Sequence, residues 1–88
     1  MDNKTKYKQA FIDALSIDGS ILEKNLEYNE ITEWDSIGHM SLVAELEDKF
    51  DITMEMDDII EISSYEKGIE ILEKNYKIKF WFKKIKST

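Results

Sequence analysis

A chain of 88 residues, 42% hydrophobic and 35% charged, has enough apolar content to fold and enough length for one modest core, which excludes a deep, water-shielded enzyme cleft. Its net charge is −7, and because Lys77, Lys79, Lys83, Lys84 and Lys86 put +5 into residues 77–88, residues 1–76 carry −7 − 5 = −12. So acidic a body repels phosphate backbones, which excludes nucleic acid as its ligand, and the absence of cysteine excludes disulfides and thiolate metal sites.

In chain order, the first helix is predicted from Lys4 to Leu15, where Tyr7, Ala10, Phe11, Ala14 and Leu15 follow the i, i+3, i+4 spacing of one buried stripe. Asp18-Gly19 ends it. Residues 17–34 show no sustained period, so a long ordered loop is expected, pinned by Ile17, Ile21, Leu22, Leu26, Tyr28 and Ile31. A second helix should start at Asp35 or Ser36, both good caps, and run to Phe50 with Leu42, Val43, Leu46 and Phe50 inward. "MDDII" reads as one or two helical turns capped by Asp57. The last helix carries a capping box, Ser63 with Glu66, and buries Ile69 and Leu72. Three main helices and one short one, with no strand pair, give an all-α bundle.

"EWDSIGHMSL" places Asp35, Ser36 and His39 within five positions. A serine-hydrolase relay is a poor fit: the imidazole must stand between acid and nucleophile, yet Asp35 and Ser36 are neighbours and no G-x-S-x-G elbow surrounds the serine. A calcium loop also fails, because the alternate positions before Gly19 include Ala14 and the sixth position after it is Asn25 rather than glutamate. No metal site is expected. Helix capping accounts for Asp-Ser but not for Trp34 before the cap, Ile37 and Met40 off the core stripe, or Gly38 in the first turn. Those residues outline a small contact surface around Ser36, with the glycine allowing close approach to the backbone.

"WDSIGHMSLVAELEDKFDI" resembles the segment around the attachment serine of acyl carrier and peptidyl carrier proteins, in which Asp-Ser precedes a hydrophobic residue. The likeness continues through "FDITMEMDDI" and "YEKGIEIL" and covers residues 4–76. It implies an acyl-carrier-like four-helix bundle with a long first loop. It also implies that Ser36 is esterified with 4′-phosphopantetheine, taken from coenzyme A by a phosphopantetheinyl transferase. A phosphodiester at a helix N-terminus meets free N–H groups and the positive end of the dipole. The arm would also give this cysteine-free chain the thiol needed for thioesters.

Ile37 stands where the commonest fatty-acid carriers have leucine, and "GHM" is similar to carriers of dedicated pathways, including polyketide, nonribosomal-peptide and aminoacyl carriers. The expectation is a free-standing, non-catalytic carrier that shuttles acyl or aminoacyl thioesters between loading enzymes and synthases with basic patches. The docking candidates are Asp35, Ile37, Met40, Glu47, Asp48 and Asp57. His39, on the same face as Ser36, is expected to be an exposed neutral side chain, the alternative being a contact with the phosphate or a partner. The alternative is an acidic helical adaptor without a prosthetic group.

Residues 1–76 are expected to form the carrier domain and 77–88 a basic aromatic tail. In that tail Ile78, Trp81, Phe82 and Ile85 would form one stripe if the last helix continued, the favoured reading, while "KIKFWF" alone also fits alternating extended structure. The tail would pack on the bundle, dock a partner or touch a membrane. With no apolar h-region after Met1 and no long apolar run, a cytoplasmic monomer is expected, and the use of lysine without arginine suggests a bacterial source.

Overall fold

The computed structural model describes residues 2–80, and all of its named elements are helical. Helix α1 spans Asn3–Leu15, a 310 segment spans Gly19–Lys24, and α2 (Ser36–Phe50), the short α3 (Met56–Glu61) and α4 (Tyr65–Tyr76) follow. The all-α bundle expected from the sequence is the fold observed.

Helix α1 starts where the Asp2 carboxylate accepts the Thr5 N–H at 2.8 Å. It buries Tyr7, Ala10, Phe11 and Leu15, the stripe read from spacing. With no glycine at its end, Ser16 takes up the left-handed conformation (φ 56°) and returns its N–H to Ile12. Asp51 and Lys77 close α2 and α4 in the same way. Each stop therefore places a non-glycine residue in a region that favours glycine.

The long loop is ordered by backbone pairing. Tyr28 N–H donates to the Ser63 carbonyl at 2.9 Å, Tyr65 N–H donates to the Leu26 carbonyl at 2.8 Å, and the Asn25 side chain accepts the Glu66 N–H at 2.9 Å. This antiparallel bridge between Glu27 and Ser64 holds Ser64 extended (φ −158°, ψ 168°), just before the first helical residue. Consequently Ser64, not Ser63, caps α4, accepting the Lys67 N–H at 3.0 Å, and the expected Ser63–Glu66 capping box does not form. Among the loop anchors, Leu22 and Leu26 are buried as expected, whereas Tyr28 is 39% exposed.

The start of α2 lies against the end of α1, and the end of α2 lies by its start: an added Cβ at Gly38 would come within 3.0 Å of Leu15, while the Lys6 ammonium sits 5.2 Å from the Phe50 ring. The two helices are therefore antiparallel. Between them and α4 lies a core led by Trp34, Tyr7, Phe11, Leu42, Leu46, Ile62 and Leu72. Its aromatic part is edge-on: Tyr7–Phe11 at 5.1 Å, Phe11–Trp34 at 5.2 Å and Phe11–Tyr65 at 5.0 Å, the separations such pairs prefer. On α4 Leu72 is buried as expected, Gly68 and Ile71 are buried beside it, and Ile69 packs against the core only partly covered.

In α3, Asp57 lies within the first turn and does not cap it; Glu55 holds the cap position and makes no side-chain cap bond. The Tyr76 hydroxyl substitutes, accepting the Glu55 N–H at 2.7 Å and donating to Asp58 at 2.7 Å, which ties α3 to α4.

Helix α4 stops at Tyr76, because Lys77 turns left-handed and the Ile78 N–H reaches back to the Leu72 carbonyl at 3.2 Å. The expected continuation of α4 into the tail therefore fails at its first residue. Phe80, outside the expected stripe, returns to the core at 7% exposure, edge-on to Tyr7 at 5.3 Å, while Asn3 donates to the Lys79 carbonyl at 2.9 Å. Trp81, Phe82 and Ile85 lie outside the described residues. Among the described residues no helix is long and apolar enough to cross a membrane.

Candidate functional site

The site begins with a choice between two neighbouring caps. Asp35 is the N-cap of α2: its carboxylate accepts the Gly38 N–H at 2.9 Å, and its carbonyl accepts the His39 N–H at 2.8 Å. Ser36 is thereby released to the first helical position. It is exposed, and none of the hydrogen bonds among the described residues uses its hydroxyl. The N–H groups of Ser36 and Ile37, in the first turn of a helix of 15 residues, are left without intrahelical partners beside that hydroxyl.

Gly38 is buried, and what approaches it is the protein itself. An added Cβ would collide with the Glu33 carbonyl. The glycine lets the loop turn tightly into α2, so it belongs to the architecture beneath Ser36 and not to an outer contact surface, as the sequence had suggested. Trp34 likewise is fully buried.

His39 is not the free side chain expected from the sequence. Its Nδ1 accepts the indole N–H of Trp34 at 2.9 Å, and its Nε2 lies 2.8 Å from the Ile59 carbonyl, which can only accept. Both contacts are satisfied together by the neutral ring protonated on Nε2. The ring is half-buried, lies nearly coplanar with the Trp34 indole (18°) as their in-plane hydrogen bond requires, and meets Tyr28 edge-on at 5.4 Å. No nucleophilic relay exists here: His39 is committed to Trp34 and Ile59, and Asp35 to Gly38. Among the described residues no group of His, Cys, Asp and Glu stands close enough to hold a metal ion.

Beside Ser36 a groove of about 390 Å³ opens between α2 and α3, lined by Met40, His39, Met56, Ile59 and Ile60. Around it, Ile37 (77% exposed), Met40, Met56 and Ile60 form an apolar surface on an acidic protein. The sequence identified Ile37 and Met40; Met56 and Ile60 were missed, because only the packing of α3 brings them alongside α2. Of the acidic candidates, Asp35, Asp48 and Asp57 are exposed. Glu47 is half-buried and accepts the Met54 N–H at 2.8 Å, so its carboxylate orders the α2–α3 connection. Lys49 bridges Asp13 (3.2 Å) and Glu45 (3.5 Å).

An exposed, uncommitted hydroxyl at a helix start, with an adjoining groove, is the arrangement a covalent arm requires. The family model described as "Phosphopantetheine attachment site" matches residues 8–70. The chain belongs to that family of carrier domains, which hold 4′-phosphopantetheine covalently. Comparison with curated proteins and with solved structures returned no match.

Proposed function

We propose that this protein is a free-standing acyl or aminoacyl carrier whose phosphopantetheine arm is esterified to Ser36. The observation that carries the residue assignment is the division of labour at the α2 start: Asp35 makes the cap, so Ser36 can be modified without unmaking the helix. Its exposed hydroxyl is open to a transferase. The phosphodiester would join the positive end of α2, and the arm would supply the thiol on which cargo is held as a thioester.

The carrier itself performs no catalysis in this reading; loading enzymes and synthases of a dedicated biosynthetic pathway act on the cargo. They would meet the apolar surface of Ile37, Met40, Met56 and Ile60, with Asp48 and Asp57 steering basic patches toward it. Asp35 and Glu47 contribute mainly by holding the helix start and the α2–α3 connection. Intact-mass analysis after incubation with coenzyme A, magnesium and a broad-specificity phosphopantetheinyl transferase tests the reading. The expected result is a gain of one phosphopantetheine group, mapped to Ser36 and absent in Ser36→Ala. A folded wild-type chain that gains no mass would instead favour the adaptor reading.

A further inference from the structure

We propose that His39 is a wall that keeps the arm and its cargo on the outside of the bundle, making this a carrier of short or polar acyl groups, not of long alkyl chains. The inference rests on the reading of Ser36 as the attachment site.

Ser36 stands on the rim of the α2–α3 groove, so whatever the arm carries meets that groove first. An alkyl chain gains by leaving water. Ile62 already lines the groove, and the way to full burial from it runs between α2 and α3 toward Leu42 and Leu46. His39 bars it by crossing the seam from α2 to the Ile59 carbonyl on α3. That carbonyl belongs to the last turn of a six-residue helix, where carbonyls lack helical partners, so the histidine satisfies it.

From behind, His39 is fixed by the Trp34 indole. Displacing the ring would break both hydrogen bonds and strand the N–H of a fully buried tryptophan. Beyond it, Trp34, Leu42 and Leu46 are fully buried. A long chain would have to lie in the open groove with one side in water. A short or polar acyl group loses nothing there and keeps its thioester within reach of partner enzymes.

The test compares the wild-type chain loaded at Ser36 from acetyl-coenzyme A and from dodecanoyl-coenzyme A. The two forms should melt together, and their amide spectra should differ only around the groove residues Met40, Met56, Ile60 and Ile62. A higher melting temperature for the dodecanoyl form, with shifts at Leu42 and Leu46, would overturn the proposal. In His39→Ala the dodecanoyl form should melt above the acetyl form; equal melting there would show that His39 is not the barrier. Should that variant not fold, the wild-type comparison decides alone. Failure of either thioester to attach at Ser36 is a separate result, read by mass, and counts against the carrier assignment itself.

Discussion

The hydroxyl of Tyr7 on α1 occupies the space that the missing side chain of Gly68 leaves on α4, and there it donates to the Tyr65 carbonyl at 2.8 Å. Tyr7 is fully buried, so this hydrogen bond is the only one that its position offers the hydroxyl among the described residues. In Gly68→Ala the new methyl would strike that hydroxyl. Overpacking of this kind costs about 1–3 kcal/mol, more than the helix-propensity gain of about 1 kcal/mol from replacing glycine. Urea denaturation should show a lower midpoint for Gly68→Ala.

Gly38→Ala should be worse tolerated, because the obstacle is the backbone carbonyl of Glu33, which no rotamer change can move. The loop entry and the Asp35 cap would shift together. The expected outcome is a destabilised protein that also accepts the arm more slowly; stability equal to wild type would contradict the packing described.

At the α2 start, Asp35→Ala removes the side-chain cap and should cost about 1 kcal/mol, whereas Ser36→Ala leaves the cap in place and should melt close to wild type. Thermal melting of the two variants side by side separates the roles. Ser36→Ala alone should then abolish loading.

Burial holds the Tyr65 hydroxyl up to about 12 and pushes that of Tyr7 well above its ordinary value, mainly by desolvation. Both phenols are neutral in the folded state where the unfolded chain, with an ordinary tyrosine value near 10, would already ionise. Their contribution is therefore intact below about pH 10 and is lost as pH rises from there toward 12. Far-UV circular dichroism should show a stable fold to about pH 10 and alkaline unfolding above it. Tyr65→Phe should move that transition to higher pH.

Phe80 makes the start of the tail part of the packed body, against Tyr7 and, at 6.1 Å, Phe50. Phe80→Ala should cost about 3 kcal/mol, the low end of the range for a buried phenylalanine. Truncation after Tyr76 should lower the melting temperature at least as much. A truncated chain as stable as the full one would show that Phe80 contributes nothing to the fold.

The sequence by itself determined the helical registers of α1 and α2, the all-α class and the segment around Ser36. These signals are local: a stripe repeating every three or four residues, and an acid next to a serine before an amphipathic run. What only the tertiary structure decided were choices between neighbours and contacts across the chain. Ser64 rather than Ser63 caps α4 because residues 26–28, far away in sequence, pair with residues 63–65. His39 is a strut rather than a free imidazole because α3 delivers the Ile59 carbonyl, twenty positions on, to its outer nitrogen. Gly38 serves the Glu33 carbonyl, Glu47 the Met54 amide, and Phe80 a gap beside Tyr7. Periodicity states which face of a helix turns inward; it carries no information on which donor, acceptor or ring will be waiting there.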